Sequence, residues 1–505
     1  MKRLLLIALL ALLLFASVCS AQADEHRQMW SNAWGAGFLS SIETTTMMNY
    51  TRDCHLNVLI PEIRLRSDAY YFSSIEPRGT NITPGYDALA DMIAKGYPDI
   101  EIHPWIVAFR IWTTSGGPAH STPEHIWYTH GPGGPNDWTM LSSTGGWDFG
   151  GISNVDPGHP AVEDYLITLY MDIINRYDVD GFTLDYIRYP GTAWGYNPTA
   201  VARYNAEYGT TGNPASSDVR WSDWRRDQIS NLVKRLYLEI KSVKPWVKLG
   251  IAGWNTAGSG NSGYLQDWNK WMQKHWLDYC SPMTYTSDND QFHTWMNDAQ
   301  GRQYGHHIYP LVNLGYSLTA NVLPQIDLVR EHSFPGLGLY CYQSSFDKTA
   351  VKNALVAGPF PTAVPPTDMP WLSSPTKGYL KGYVRNVSGN AIYPTIVTIV
   401  GPDTTDKSSG TGFYGFSEMD PGDYTIRAEA PGYLTVELPV TITAGIVSDL
   451  DFTLSLETIP PVISNVRSEN VQATNAQIKW DTDEEATSQV DYGPDTGYGT
   501  TTTED

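Results

Sequence analysis

The sequence predicts an α/β fold, a (β/α)8 barrel followed by all-β sandwich domains, from three observations. Residues 30 to about 357 alternate short apolar runs with amphipathic stretches, about eight times over, as in a parallel barrel. A segment rich in Pro, Thr and Ser follows at 358–376. From residue 378 the hydrophobic pattern changes to a period of two, which is typical of strands. A doubly wound open sheet is the alternative for the first region, but no Gly-rich dinucleotide-binding turn follows an early strand.

Seven short apolar runs bounded by turn residues predict buried barrel strands. They are Cys54–Glu62, Ile100–Val107, Val179–Asp185, Val247–Ala252, Tyr279–Met283, Ile308–Leu311 and Gly336–Tyr340. The candidate for the first strand is Trp34–Phe38. Between these runs, residues 161–177 and 221–243 repeat apolar side chains at helical spacing and predict amphipathic helices.

The N-terminus has the features of a cleavable signal peptide over residues 1–23. Lys2 and Arg3 precede an apolar run, and Ala21-Gln22-Ala23 is a small-x-small cleavage site. No later segment reaches the ~20 apolar residues that a membrane-spanning helix needs. We therefore expect a secreted or periplasmic protein without a transmembrane segment.

The acidic composition argues against nucleic acid as a partner. The chain carries 33 Lys and Arg against 54 Asp and Glu, a formal charge of −21, so it has no general attraction to nucleic acid. It also holds 18 Trp and 31 Tyr, a large number of flat side chains. Cys54, Cys280 and Cys341 lie in apolar runs and are expected to be buried thiols rather than a disulfide framework. Nothing in the sequence indicates an oligomeric state.

The predicted organisation has five parts. They are a signal peptide at 1–23, a barrel at 24–357, a Pro-rich linker at 358–376, a β-sandwich at 377–456 and a further β-region at 457–505. The linker has little apolar material, so we expect the barrel to fold independently of the sandwich. The last region has fewer strands than the about seven of a sandwich, which predicts that the chain ends inside a domain. The alternative is that this region docks on the preceding sandwich.

Two acidic residues are candidates for catalysis. The active site of a barrel lies at the C-terminal ends of its strands. Asp185 ends an apolar strand and is expected to point into the mouth, although it could simply pair with Arg188 or Arg64. Glu62 ends the second strand, on the same face as Arg64, and could instead be a salt-bridged structural acid.

Several polar and aromatic residues at or beyond the strand ends are candidates for binding substrate. Asp68 follows the second strand and could orient Arg64 or the substrate, while Tyr285 follows the sixth. At or beyond the third strand stand His103, Trp105 and Arg110. The long loop 112–147 is rich in aromatic residues, whose faces suit the C–H faces of sugar rings. Each of these side chains could instead serve only in packing.

Metal and cofactor motifs are weak. No His-Glu-x-x-His is present, and the adjacent His306 and His307 would face opposite ways on a strand. Asp288-Asn289-Asp290 lacks the remaining spacing of an EF-hand loop. There is no P-loop and no convincing Gly-x-Ser-x-Gly elbow. We therefore expect no catalytic metal and no cofactor.

Two motifs carry a family resemblance. The stretch DPGHP at 156–160, followed by a helix and then YDVDGFTLDYIRYP at 177–190, resembles the bacterial family 10 glycosyl-hydrolase-like proteins, which are distinct from the family 10 xylanases. Residues 57–71, 103–110, 224–227 and 244–247 continue the match in order, so the resemblance covers roughly residues 30–350. It implies a TIM barrel and action on glycans, including peptidoglycan in some members.

The resemblance also implies site residues. Those that match the family pattern are Arg64, Asp68, His103, Trp105, Arg110, Asp185, Tyr186 and Arg188. Glu62 departs from the pattern, which generally has Gln there, and this leaves the identity of the second acid open. Residues 378–454 resemble a carboxypeptidase regulatory-like domain, and the chain from Pro460 resembles the start of a fibronectin type III domain.

These observations predict a secreted glycoside hydrolase acting on a polysaccharide or on peptidoglycan. Two carboxyl groups would act at an oxocarbenium-like transition state, with Asp185 ionised and either Glu62 or a loop acid such as Asp288 as the partner. The alternative is a non-catalytic glycan-binding or cell-surface adhesion protein. A second carboxyl group close to Asp185 in the folded barrel would distinguish the two.

Overall fold

The computed structural model describes residues 24–113, 116–345, 347–457, 461–484 and 486–503. The predicted signal peptide at 1–23 lies outside the described residues. Within the described ranges, no helix combines the length and apolarity needed to cross a bilayer.

Eight parallel strands form a closed barrel, as the sequence predicts. They are β1 (His26–Ser31), β2 (Val58–Arg64), β3 (Glu101–Ile102 and Trp105–Val107), β4 (Gly181–Asp185), β5 (Lys248–Gly253), β6 (Tyr279–Pro282), β7 (His307–Ile308 and Leu311–Asn313) and β8 (Gly336–Tyr340). Each strand pairs with its neighbour in chain order, and β1 pairs with β8. The first segment of β7 bonds to β6 and the second to β8, which closes the barrel.

Helices surround the barrel and continue beyond it. They are α1 (Ser41–Asp53), α2 (Ala88–Gly96), α3 (Ile126–Thr129), α4 (Pro160–Arg176), α5 (Pro198–Tyr208), α6 (Val219–Val243), α7 (Ala257–Tyr264), α8 (Trp268–Gln273), α9 (Asn289–Gln300), α10 (Leu323–Glu331), α11 (Lys348–Ala357) and α12 (Pro370–Ser373). A π-helical turn at Leu318–Val322 precedes α10, and a 3-10 turn at Tyr342–Ser344 precedes α11. Two short strands, Arg110–Trp112 and Ser153–Asn154, pair antiparallel beyond β3.

The prediction for the first strand is wrong. Residues 34–38 lie in the loop after β1, and the strand itself is His26–Ser31. All six of its residues are buried, although four of them are polar or charged: His26, Arg27, Gln28 and Ser31. The His26 ring faces the barrel interior, where it stacks on Tyr309 at 4.0 Å. A search for apolar runs does not detect this strand, because polar side chains such as His26 face the barrel interior.

The second domain is a sandwich of two four-stranded sheets. Its strands are β9 (Gly378–Asn386), β10 (Ile396–Ile399), β11 (Thr404–Lys407), β12 (Phe413–Met419), β13 (Gly422–Glu429), β14 (Val436–Ile442), β15 (Val447–Asp449) and β16 (Phe452–Leu454). One sheet has the order β12-β9-β15, with β16 also on β9, and the other has the order β11-β10-β13-β14. Between the sheets lies a separate apolar core that includes Leu380, Val397 and Phe452.

The sandwich lies against helix α6 of the barrel. Lys234 and Arg235, both buried on α6, bond to Asp406 and Thr411 of the sandwich at 2.5 and 3.2 Å. Phe413 from the sandwich is part of the barrel's own apolar core. The charges of Lys234 and Arg235 are largely shielded from water. They need their partners in the sandwich, because a buried charge without a partner is energetically costly. The two domains thus share one core surface, which the sequence did not indicate.

The Pro-rich segment 358–376 crosses the N-terminal end of the barrel. Phe360 is buried beneath the guanidinium of Arg27, 4.4 Å from its ring centroid. Met369 is buried with Tyr279 at the base of the barrel. Trp371 donates from Nε1 to Asp278 at 2.8 Å. The segment predicted to be a linker does connect the two domains, and it also covers the barrel's base.

The remaining features are the cysteines and the C-terminal region. Cys54, Cys280 and Cys341 are buried and free, as expected. Beyond the sandwich, two antiparallel hairpins pair Ile463–Glu469 with Gln477–Thr482, and Asp491–Tyr492 with Thr500–Thr501. Ile463 and Val466 are more than half exposed on the first hairpin.

The shared surface leads to a prediction opposite to the one drawn from the linker's composition. A chain of residues 24–357 exposes the face of α6 and the base of the barrel, so we expect its melting temperature to fall by at least about 5 °C, at roughly 2–4 °C per kcal/mol. A chain of residues 24–457, which loses only the exposed hairpins, is the control and should melt within about 2 °C of the chain 24–505. Calorimetry of the three chains measures this. Equal melting temperatures for 24–357 and 24–457 would contradict the shared surface.

Candidate active site

Two carboxyl groups line one cleft at the C-terminal end of the barrel. Glu62 lies on β2 and Asp185 ends β4, with β3 between them. The cleft has a volume of about 160 Å³. Its lining residues are Trp30, Asn32, Trp34, Glu62, Trp105, Arg110, Asp185, Tyr186, Arg188, Ala252, Met283, Tyr285 and Tyr340. The two acids are far apart in sequence, but they lie in one cleft because the C-terminal ends of the barrel strands meet there.

Glu62 is set up to carry a proton. Its side chain is buried, and Oε2 accepts a hydrogen bond from the N–H of Ala33 at 2.9 Å. Burial raises the pKa of Glu62 to about 8, and the negative charge of Asp185 adds to the rise. The Ala33 N–H and the positive charge of Arg110 oppose it. A carboxyl group with such a pKa is protonated at neutral pH and can donate a proton.

Asp185 is held as the negative partner. Its Oδ1 accepts from the N–H of Tyr186 at 2.6 Å and from Arg188 Nη1 at 3.2 Å. Oδ2 accepts no hydrogen bond from any residue that the structure describes. The left-handed backbone of Tyr186, with φ of 52°, turns the chain directly after the strand end. One oxygen is thus fixed by two donors while the other is available to a ligand.

Two arginines flank the aromatic ring of Tyr186. The guanidinium carbons of Arg110 and Arg188 lie 4.1 and 4.5 Å from its ring centroid. Arg188 is paired with Asp185, whereas the guanidinium of Arg110 has no hydrogen bond or ion pair among the described residues, and its Nε is buried. Arg110 is only 6% exposed. A buried guanidinium without a partner is costly, so the site favours a ligand that supplies hydrogen-bond acceptors to it.

Aromatic side chains form the walls of the cleft. Trp30 packs edge-on against Trp105 at 5.2 Å between ring centroids, and Tyr285 lies 4.9 Å from Tyr340. A second hollow of about 250 Å³ adjoins the cleft through Arg110, Tyr186 and Arg188. Its other lining residues are Phe149, Ile152, Asn154, Pro190, Trp254 and Tyr264. The cleft and the hollow together form a groove with an apolar side, and the groove has room for more than one ring of a ligand.

Comparison with known families decides the assignment of the barrel. The profile described as "Glycosyl hydrolase-like 10" matches residues 25–327, which is 303 of 505 residues. The chain belongs to the glycosyl hydrolase-like 10 family. A second profile, "Carboxypeptidase regulatory-like domain", matches residues 379–455 and agrees with the sandwich.

Relatives of this family member include two curated bacterial proteins. Glycosyl hydrolase YngK of Bacillus subtilis is 25% identical over 404 residues, which are 71% of this chain and 74% of that protein. Glycosyl hydrolase DigH of Escherichia coli is 24% identical over 263 residues, 46% of this chain and 54% of that protein. Among solved structures, the glycoside hydrolase domain of PgaB (BpsB) from Bordetella bronchiseptica is 9% identical with a TM-score of 0.48. That alignment covers 68% of this chain and 100% of that domain.

Seven of the ten predicted site residues of this family member lie in the cleft. They are Glu62, Trp105, Arg110, Asp185, Tyr186, Arg188 and Tyr285. The other three, Arg64, Asp68 and His103, do not line it. Arg64 is buried in a structural network. Its Nη2 and Nε donate to Glu76 at 2.6 and 2.7 Å, and its Nη1 donates to the carbonyls of Val107 and Ala108 at the end of β3. Asp68 accepts from the backbone and side chain of Arg66.

His103 faces the barrel interior at a lower layer than Trp105. Its two ring nitrogens are hydrogen bonded to Tyr279 at 3.0 Å and Glu101 at 3.1 Å. The sequence correctly put His103 and Trp105 on one face, but did not resolve their depth in the barrel. Asp288, the loop acid considered as a partner, is the exposed N-cap of α9 and does not line the cleft.

The sequence analysis missed several residues of the groove. Two of them, Asn32 and Trp34, follow β1, and Trp30 is its next-to-last residue. The sequence analysis missed these three because it placed the first strand at residues 34–38. Tyr340 is the last residue of β8, so the rule of strand ends could have found it. The aromatic loop 112–147 instead packs on itself, with His130 stacked on Trp138 at 3.4 Å.

The raised pKa of Glu62 has a measurable effect on stability. The folded state keeps a proton up to about pH 8, whereas an unfolded glutamate releases it near 4.5. Stability from this group is therefore complete below pH 4.5 and is lost as the pH rises to 8. We expect Glu62→Gln, which has no proton to lose, to gain stability relative to wild type between pH 5 and 8. Denaturant titrations at several pH values measure this difference, and parallel curves would contradict the assigned pKa.

Proposed function

We propose that this protein is a glycoside hydrolase that cleaves O-glycosyl bonds with Glu62 as the acid and Asp185 as the carboxylate. The observation that supports it is the pair of carboxyl groups in one cleft, one of them protonated at neutral pH. Family membership supports the reaction class. Burial and the neighbouring negative charge separate the two groups into an acid and a base, as glycosidase chemistry requires.

Each residue has a role in this reaction. Glu62 donates its proton to the glycosidic oxygen as the bond to the anomeric carbon breaks. Asp185 uses its available Oδ2 either to attack the anomeric carbon or to take a proton from water. Trp34, which is 58% exposed, and Tyr340 hold the sugar rings by contact with their C–H faces, while Trp30 and Trp105 form the buried wall behind the cleft. Closure of these side chains around the cleft keeps bulk water from the proton transfer.

The charge of the cleft favours a glycan that carries carboxylates. With Glu62 protonated, Arg110 and Arg188 bring two positive charges against the one negative charge of Asp185. The guanidinium of Arg110 has no hydrogen-bonding partner among the described residues, and a guanidinium binds a carboxylate through two parallel hydrogen bonds. We propose a polysaccharide or a peptidoglycan glycan bearing carboxylates, met outside the cytoplasm after removal of the predicted signal peptide.

One observation favours a second candidate, a non-catalytic glycan-binding protein. A protonated Glu62 presents one donor and one acceptor, as Gln does, and Gln is the residue that the family pattern generally has there. In that case Glu62 would bind sugar through hydrogen bonds without giving up its proton. The two candidates differ in whether the wild type releases any product from a glycan that it binds.

Conservative replacements of the two acids test the proposal. We expect Asp185→Asn and Glu62→Gln each to lower turnover by at least ~100-fold while glycan binding and folding persist, because the shapes are kept and the proton chemistry is lost. Asp288→Asn is the matched control, since Asn also caps helices and this acid lies outside the cleft. Reducing-end release from polysaccharides and denuded peptidoglycan measures turnover.

The outcomes separate the candidates. Loss of turnover in both acid variants with normal activity in Asp288→Asn supports the hydrolase. If Glu62→Gln turns over normally, Glu62 only binds and the acid must be another group. If the wild type binds glycans but releases no product from any of them, the non-catalytic candidate is favoured.

A separate variant tests the preference for carboxylates. We expect Arg110→Gln to raise KM for a carboxylated glycan by about 10- to 100-fold, since a hydrogen bond to a charged group contributes about 1.5–3 kcal/mol. The same glycan with its carboxyl groups reduced to alcohols should show almost no change between wild type and variant. An equal loss on both substrates would mean that Arg110 only supports the shape of the cleft.

A further inference from the structure

The loop after β1 carries the most exposed aromatic side chain of the cleft. Trp34 is 58% exposed, whereas the two other tryptophans that line the cleft are buried. An exposed side chain generally moves among rotamers, and ordering it when a ligand binds costs affinity. We propose that Arg66 and Asp68, neither of which lines the cleft, are positioning residues that hold Trp34 as the platform for a sugar ring beside Glu62. This inference rests on the proposed action on glycans and adds two residues to its site.

Arg66 lies between two indole rings. Its guanidinium carbon is 5.0 Å from the ring centroid of Trp34 and 4.4 Å from that of Trp112. Trp112 in turn packs edge-on against His125, with 5.4 Å between the ring centroids. A guanidinium over the face of an indole is attracted by the ring quadrupole. Trp34 is therefore held from the side of Arg66, and the exposed part of its ring is left for a ligand.

Asp68 fixes the position of Arg66. Its Oδ1 accepts from the backbone N–H of Arg66 at 2.8 Å, and its Oδ2 accepts from Nη2 of the same residue at 3.2 Å. The side chains of Asp68 and Arg66 are only 5% and 15% exposed, so solvent and salt screen this pair weakly. His125 Nε2 also donates to the carbonyl of Arg66 at 2.8 Å. Asp68 can thus act on a bound glycan through Arg66 and Trp34 without lining the cleft itself.

The backbone that carries Trp34 is tied to the acid of the cleft. The N–H of Trp34 donates to Asn32 Oδ1 at 3.0 Å. Gln343, after β8, accepts from the N–H of Asn32 at 3.0 Å and donates to the carbonyl of Asn32 at 2.9 Å. The next residue, Ala33, donates its N–H to Glu62 at 2.9 Å. Because Ala33 and Trp34 are adjacent, one loop sets both the platform and the acid, so a sugar on Trp34 has a fixed position relative to the proton of Glu62.

Binding measurements separate this role from catalysis. The parent protein is the full chain with Asp185→Asn, and the probes are denuded peptidoglycan strands and polygalacturonate, both of which carry carboxylates. We expect Arg66→Met, which keeps the apolar stem and loses the cation, to weaken binding by about 3- to 10-fold, as for loss of a cation–π contact. Asp68→Asn should act in the same direction. In the chain that retains Asp185, KM should rise by the same factor while kcat changes less than about two-fold, because the acid pair is intact.

A double-mutant cycle tests whether the effect passes through Trp34. We expect Trp34→Ala to weaken binding, and Arg66→Met to have no further effect in that background. The matched control is Arg78→Met, because Arg78 lies over the ring of Phe72 at the same 5.0 Å but outside the cleft. It should bind glycan as the parent does. The melting temperature of each variant shows that it is folded.

A readout without glycan follows the ring itself. In protein labelled with 5-fluorotryptophan, the ¹⁹F signal of Trp34 is the one that disappears in Trp34→Phe. Arg66→Met and Asp68→Asn should shift and sharpen that signal because the ring becomes more mobile, whereas Arg78→Met should leave it unchanged.

The outcomes decide the inference. It is overturned if Arg66→Met leaves both affinity and the Trp34 signal unchanged, or if it weakens binding equally with and without Trp34. It is also overturned if the protein binds neither glycan. A wild type that binds glycan without cleaving it, and that loses affinity in Arg66→Met, contradicts the proposed hydrolysis and still supports this inference.

Discussion

Closure of the barrel is the constraint on which the other features of the molecule depend. β7 bonds to β6 through one segment and to β8 through the other, so the parallel sheet has no free edge. The C-terminal ends of all eight strands then face one mouth. Glu62 and Asp185 lie 123 positions apart in the chain, yet closure puts them in one cleft. The raised pKa of Glu62 follows from this enclosure, since burial is its main cause.

Polar side chains lie inside the barrel both near its base and at its mouth. The two layers differ in how completely these side chains are hydrogen bonded. Near the base, His103 is bonded to Tyr279 and Glu101, and Glu101 in turn pairs with Lys248 at 2.7 Å. At the mouth, the side chain of Glu62 has a single hydrogen bond and the guanidinium of Arg110 has none from the described residues. Groups whose bonds are complete rigidify a fold, whereas groups left incomplete are available to a ligand. This difference between layers is consistent with the proposed site at the mouth and with a supporting role for the base.

Sequence reasoning found the fold class, seven of the eight barrel strands and most of the cleft because those features follow local patterns. Gly336–Tyr340 was predicted with its exact bounds, and Asp185 was found because it ends an apolar strand. β1 was missed because its inward side chains, among them His26 and Gln28, are polar. Arg64 and Asp68 follow the right strand, but which side of the barrel wall a side chain faces depends on partners such as Glu76, which are set by tertiary structure.

Local sequence patterns also could not predict how the domains are arranged, and this arrangement determines which side of the barrel stays accessible. Composition marked 358–376 as a linker, but burial of Phe360 and Met369 depends on a barrel base that no local pattern describes. The segment covers the base and the sandwich covers α6, while every residue that lines the cleft lies between positions 30 and 340. The appended domain therefore stabilises the barrel from the side and the base and leaves the mouth open. The two carboxyl groups can therefore be reached from solvent without meeting the sandwich, as the proposed hydrolysis of a long glycan would need.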